Sequence, residues 1–236
     1  MQVLSKFLDF FPNSRQHLAR WARPWVHRLR HGELGQYTSR ALEVPGWTTY
    51  EELRALAYTS YALPPGAVIV EVGTFLGRST LVLAGGRKLK GSGEVHCIDP
   101  FDASGDEFSV PHYQAIARKA PLTLRERFDQ SMRQAGLQDW LRVHPTTVQA
   151  VAEGWSQPID FLFLDGDQSP QGARASYELL VPFLKPGGLL ALHNSSDRTY
   201  AEGHDGYYRL VLETIRPPLY TDIHCVDTTT FARKLG

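Results

Sequence analysis

The chain has 236 residues, 42% of them hydrophobic and 21% charged, which excludes a disordered or fibrous protein and gives one domain, with or without an appendage, a sizeable core to bury. Lys and Arg total 25 against 25 Asp and Glu, so the net charge gives no sign of nucleic-acid binding. No apolar run approaches the roughly 20 residues that a membrane-spanning helix needs.

The charge is unevenly spread. Residues 1–40 carry Lys6, Arg15, Arg20, Arg23, Arg28, Arg30 and Arg40 against Asp9 and Glu33. Leu4, Phe7 and Phe11, then Leu18, Trp21, Trp25 and Leu29, recur at three- and four-residue spacing, which predicts amphipathic helices. Residues 1–43 read as a basic helical cap on a domain spanning 44–236. Three uses of the cap stay open: packing on the body or on a second copy in a homodimer, weak contact with a membrane surface, and targeting.

From Val44 the chain alternates. Thr48 or Thr49 caps a helix running to about Tyr61, before Pro64-Pro65-Gly66 stops it. Ala67–Val72 is a continuous β-branched run ending in Gly73, the pattern of a buried parallel strand. Arg78-Ser79-Thr80 opens the next helix. Further strands are predicted at Val95–Ile98, Leu141–His144, Ile159–Leu164 and Leu189–His193, with helices at roughly 112–135, 147–153 and 172–184. Ile223–Val226 and Thr229–Arg233 close the chain as a strand pair. The expected architecture is α/β, a doubly wound, mostly parallel seven-stranded Rossmann-like sheet. Cys97 and Cys225 lie in apolar strand segments and read as buried free thiols in a reducing cytoplasm.

Ligands of open α/β sheets bind beyond the carboxyl ends of the strands. Gly73 and Gly77 permit a tight turn and close approach, and the pattern is not the dinucleotide GxGxxG. Asp99 ends the second strand, where a carboxylate accepts hydrogen bonds from a ribose diol or caps a helix. Asp165-Gly166-Asp167 follows a buried apolar strand, where two carboxylates are costly unless a ligand, a metal or backbone donors hold them. His193-Asn194 ends the fifth strand and is expected beside Asp165.

Together VIVEVGTFLGRST, HCIDPFD, IDFLFLDGDQS and LKPGGLLALHN resemble the class I S-adenosylmethionine-dependent methyltransferases, in particular the branch of macrolide-sugar O-methyltransferases and cephalosporin-hydroxylase-like proteins. The resemblance spans about residues 44–233. It implies that the loop from Glu71 through Gly73 and Thr74 to Gly77, with Ser79, lies under the methionine part of S-adenosylmethionine, and that Glu71 contacts its amino group directly or through water. It further implies that Asp99 holds the ribose, that Thr146 and Thr147 lie beside the adenine, and that Asp165 faces the amino group or a divalent cation. Asp165, His193 and Asn194 resemble the metal triad of catechol-type relatives, which makes magnesium a candidate second cofactor. Two departures bear on mechanism: Gln168 stands where many relatives have His, and Asn194 where they have Asp.

Methyl transfer to a hydroxyl needs alignment and removal of a proton. His193 is the expected base, with a neutral imidazole near pH 7; Asp165 is expected to act with it, and Asp167 and Asp197 are secondary candidates. The stretch from Phe101 through Asp106 and Phe108 to His112 and Tyr113 reads as a lid or a surface loop, and the segment Asp197–Tyr208, with His204 and Tyr207, as the opposite wall. Phe101, His112, Tyr113 and Tyr207 are therefore candidate substrate contacts. The activity this implies is O-methylation of a small molecule, such as a sugar, polyketide or other natural product. A cofactor-bound scaffold or rearrangement catalyst, and an interaction module working through the basic N-terminus, stand as alternatives.

Overall fold

The computed structural model describes residues 32–236, so the predicted helices between Leu4 and Leu29 lie outside the described residues. Helix α1, Leu34–Ala41, precedes α2, Tyr50–Ala62, whose start is fixed by a capping box. There the Thr49 hydroxyl accepts from the Glu52 N–H, while the Glu52 carboxylate accepts from the Thr49 N–H at 2.7 Å. The alternation then follows: β1 Val68–Val72, α3 Arg78–Lys90, β2 Glu94–Ile98, α4 Val110–Ala117, α5 Leu124–Ala135, β3 Leu141–His144, α6 Val148–Gly154, β4 Ile159–Leu164, α7 Pro170–Leu180, β5 Leu184–Leu192, α8 Gly206–Glu213, β6 Tyr220–Val226 and β7 Thr229–Lys234.

The seven strands form one sheet in the order β3-β2-β1-β4-β5-β7-β6. The first five run parallel, while β7 is antiparallel to both β5 and β6. The chain leaves β3 at one edge and returns to β4 beside β1, so the topological switch lies between β1 and β4. Side-chain alternation sends Ile69, Cys97, Phe161, Phe163 and Ala191 to one face, under α1, α2, α3 and α5. Val70, Val72, Ile98, Leu164 and Leu192 go to the other, against α6, α7 and α8. Two apolar layers enclose the sheet, which explains why its strands read as continuous hydrophobic runs.

The structure corrects the sequence reading in four places. The helix expected over roughly 112–135 is two helices, broken at Pro121, and a second capping box between Thr123 and Glu126 starts α5. Helix α8 was read as irregular wall. Strand β5 begins at Leu184, not Leu189. Cys97 is buried, but Cys225 is exposed on the outer strand β6, where only one neighbouring strand covers it. Leu34, Tyr37 and Ala41, at the end of the 1–43 stretch, pack into the same core as α2 and α3, which is one of the uses left open for the cap. Tyr37 packs so closely that a side chain at Gly85 of α3 would meet its ring at 2.4 Å.

Candidate active site

The sheet register aligns the strand ends. Val72 pairs with Ile98 and with Leu164, and Leu164 pairs with Leu192. The next residue on each strand therefore forms one row across the sheet: Asp99, Gly73, Asp165, His193. The row sits at the switch point, where the helices on either side diverge and leave the strand ends open. Glu71 lies one pleat deeper, on the α3 side.

Gly73 is where β1 and β4 approach most closely. Its φ is +88°, and a Cβ there would lie 2.2 Å from the Asp165 carbonyl oxygen, so only glycine fits. Phe75 takes φ +49°, a left-handed conformation that is costly for an aromatic residue and that clusters at ligand-holding turns. Asp99 fixes that turn: its two carboxylate oxygens accept from the N–H groups of Phe75 and Phe101, each at 2.7 Å. Burial pushes the Asp99 carboxyl up, more than these backbone donors pull it down. Each oxygen keeps a lone pair for a ligand hydroxyl.

Two cavities open along the row. One, of about 340 Å³, is lined by Asp99, Thr146, Thr147, Asp167 and Gly172. The other, of about 490 Å³, is lined by Thr74, His112, Gln168, His193, Asn194 and His204 among others. Gly73, Phe75, Tyr113 and Asp165 line both. Phe75, Tyr113 and Trp47 form an aromatic cluster there, with ring centroids 5.2–5.7 Å apart.

Several predicted residues stand elsewhere than expected. Glu71 is fully buried and lines neither cavity. Ser79 and Thr80 each donate a 2.5 Å hydrogen bond to it, so it anchors the first turn of α3 to β1 and no direct contact with a ligand is open to it. Burial drives its carboxyl up to about 7, against the pull of those hydroxyls. Ser79 reaches the larger cavity but spends its hydroxyl on Glu71. Gly77 serves packing: a side chain there would meet Met132 at 2.6 Å. Asp167 lines the smaller cavity and accepts from the Ser169 N–H at 2.8 Å, a turn-forming role ahead of α7 and away from any acceptor. Phe101 packs on Phe128 and under Arg125, outside both cavities. Tyr207 is fully buried in the core against α7, because it lies on the inward face of α8. His112 and Tyr113 do face the larger cavity.

His193 lines the larger cavity in an enclosed setting. Its ring is 3% exposed, with Nδ1 2.7 Å from Asp165 Oδ1 and Nε2 3.8 Å from Glu52 Oε2. Burial opposes its charge, but Asp165 and Glu52 outweigh burial and raise its pKa above the ordinary value. Its Nδ1 is bonded to Asp165 and its Nε2 edge faces buried Glu52, so the ring is oriented by two carboxylates and nearly closed to solvent. Glu52, fully buried, also accepts from the Thr228 N–H at 2.9 Å and from the Thr228 and Thr229 hydroxyls. Burial pushes its carboxyl up, and His193 with these donors outweighs that and holds it below its usual value. In the sequence Glu52 is one more residue in the first turn of a helix; its contact with a strand end far along the chain carries no local signal.

The same geometry argues against a divalent cation. Asp165 Oδ1 is taken by His193 and, at 3.1 Å, by the Gln168 amide. Magnesium asks for several oxygen donors with negative charge, and here an imidazole already bonded to Asp165 and the neutral Asn194 complete the expected triad. Asp165, His193 and Asn194 do not fit such an ion, and among the described residues no group of three or more His, Cys, Asp or Glu is arranged to hold a metal.

A sulfonium cofactor with an amino-acid tail and a ribose fits the donor set better. Asp99 offers acceptors for a diol, Asp165 offers negative charge at the junction, and buried Gln168 has an Oε1 without a hydrogen-bond partner on the larger cavity.

The family described as "Methyltransferase domain" matches residues 70–195, more than half of the chain. Among solved structures, the chain is similar to the O-methyltransferase TomG of Streptomyces achromogenes, involved in tomaymycin synthesis and in complex with SAM. That match has a TM-score of 0.55 and 15% identity, covering 86% of this chain and 90% of the other. An O-methyltransferase from Bacillus cereus in complex with SAH matches at TM-score 0.52 and 20% identity, over 86% and 89%. The SAH-bound methyltransferase PaMTH1 of Podospora anserina matches at 0.58 and 11%, over 86% and 88%. Identities this low speak to the shared fold, and the domain match speaks to the family. With its strand order, its glycine turn at the switch point and the carboxylate after β2, the chain belongs to the class I S-adenosylmethionine-dependent methyltransferases.

Proposed function

We propose that this enzyme transfers a methyl group from S-adenosylmethionine to a hydroxyl of a small hydroxylated ring, of the sugar, polyketide or other natural-product kind. The observation that carries the reading is the meeting of two cavities at Gly73, Phe75, Tyr113 and Asp165. A donor in the smaller cavity and an acceptor in the larger would touch only there. When bound, the cofactor supplies an activated methyl group on a positively charged sulfur.

In this reading Asp99 holds the ribose hydroxyls, and Thr146 and Thr147 border the adenine. Gly73 lets the backbone lie against the methionine part, and Asp165 receives its ammonium group. His193 aims Asp165 through their 2.7 Å contact, as a positioning residue. Rings of Trp47, Phe75, Tyr113 and Phe108 give the acceptor flat apolar faces, while Thr48, Thr49 and Arg198 give it polar partners. The chemistry then consists of alignment, exclusion of water and removal of one proton.

Calorimetric titration of S-adenosylhomocysteine into the wild-type protein and the Asp99→Ala variant tests the cofactor cleft. Binding to the wild type, weakened about ten- to a hundredfold in the variant, is the expected result for loss of charge-assisted hydrogen bonds. Equal affinities would remove Asp99 from the site. Running both with magnesium and with EDTA is expected to give the same constants.

A further inference from the structure

His193 has its Nδ1 on Asp165 and a ring only 3% exposed, so a base more open to the larger cavity is sought elsewhere on its wall. The larger cavity holds a second acid–histidine pair, built from two segments distant in sequence. His204, just ahead of α8, places Nδ1 3.0 Å from Oδ1 of Asp106, in the loop after β2. Asp106 is 5% exposed, and its Oδ1 also accepts from the Phe108 and Ser109 N–H groups at 3.1 Å. Its carboxyl is held down at about 2, because bonds from His204 and Ser109 outweigh the effect of burial.

His204 is part-exposed on the cavity wall, and its Nε2 has no hydrogen-bond partner among the described residues. The backbone around it is braced. The His204 N–H donates to the Ala201 carbonyl at 3.0 Å, and two residues on, the Gly206 N–H donates to the carbonyl of Gln168 at 2.9 Å. That second bond ties the segment to the loop that carries Asp165. Phe108 packs its ring 4.7 Å from that of His204, so one face of the imidazole is covered.

A carboxylate on Nδ1 fixes the tautomer that leaves Nε2 as an acceptor, and it stabilises the imidazolium that forms when a proton arrives. The geometry points to His204, oriented by Asp106, as the general base of methyl transfer; the inference rests on the hydroxyl-methylation reading above and deepens it. The acceptor O–H proton passes to His204 Nε2. The oxygen forms its bond to the methyl carbon as the carbon–sulfur bond breaks, and that electron pair stays on sulfur as a neutral thioether. The resulting imidazolium is paired with Asp106, and returns its proton to solvent at the open end of the cavity.

Two readouts test this on the full chain. In long-range proton–nitrogen spectra of histidine-labelled protein, with His204 assigned by its loss in His204→Gln, the neutral ring is expected to carry its proton on Nδ1. A proton on Nε2 would overturn the proposal. The second readout is turnover of S-adenosylmethionine with catechol and with 4-nitrocatechol, whose nitro group already acidifies the hydroxyl. His204→Gln is expected to lose about a hundredfold or more with catechol and only about threefold with 4-nitrocatechol, with S-adenosylhomocysteine affinity unchanged. Asp106→Asn should follow the same pattern more weakly.

Equal losses on the two acceptors would mean that the pair merely latches two loops, and would overturn the assignment. A wild-type protein that binds S-adenosylhomocysteine but methylates neither probe counts against the hydroxylated-ring reading, and the tautomer then decides the base. Failure to bind S-adenosylhomocysteine at all would instead remove the cofactor cleft.

Discussion

The row Asp99, Gly73, Asp165, His193 shows how neighbours, more than residue type, set chemistry. An isolated histidine at a strand end is a reasonable base near neutral pH, and the sequence offers nothing against it. In the fold, Asp165 and Glu52 flank the ring, and two negative charges at its nitrogens outweigh the burial that would neutralise it. Glu71 carries the opposite lesson. It has hydroxyl donors but no cation beside it, so burial wins and its carboxyl rises to about 7. Because the folded state then holds that proton more tightly than the unfolded chain, protonation favours folding. Stability should fall as pH rises from about 4.5 to about 7, by at most about 3 kcal/mol. Glu71→Gln should flatten that slope in denaturant unfolding measured across the range; an unchanged slope would assign the effect to another group.

At the level of single elements, capping and turns were the most legible features. Thr49 and Glu52 in the spacing of a capping box announce the start of α2, and Pro64-Pro65 its end. The Pro121 break was equally visible, yet the apolar periodicity on both sides hid it. Thr123→Ala, which removes the cap of α5, should cost about 1 kcal/mol in thermal or denaturant unfolding and leave cofactor affinity intact. Gly73→Ala differs in kind. It forces a left-handed residue against the Asp165 carbonyl, so β1 or β4 must shift, and both stability and S-adenosylhomocysteine affinity should drop together. A variant that lost stability alone would place the cofactor away from this turn. The loop carrying Asp106 is bound through an ionised carboxylate held at about 2, below its ordinary 3.8. That bond contributes stability above about pH 3.8 and loses it as pH falls through about 2, so Asp106→Asn should cost about 2 kcal/mol at neutral pH.

Across the whole molecule, two apolar layers hold the parallel strands, and the layer under α1, α2, α3 and α5 includes a helix from the stretch expected as a cap. Tyr37→Ala removes a ring packed against Gly85 and should destabilise the entire domain by about 3 kcal/mol in one cooperative transition. An independent early melt of α1 would restore the boundary at residue 43.

The α/β class, the seven strands, the glycine turn and the acids after β2 and β4 could all be read along the chain, because strand periodicity, turn chemistry and position after a strand are local properties. Partnership is not local. That Glu52 meets His193, that Asp106 meets His204, and that Tyr207 and Phe101 turn into packing while Gln168 turns toward a cavity depends on which strands lie side by side and in what register. Sheet order and register bring together residues whose separation in sequence carries no trace of their contact. The same contacts raise the proton affinity of His193 and place a carboxylate against Nδ1 of His204.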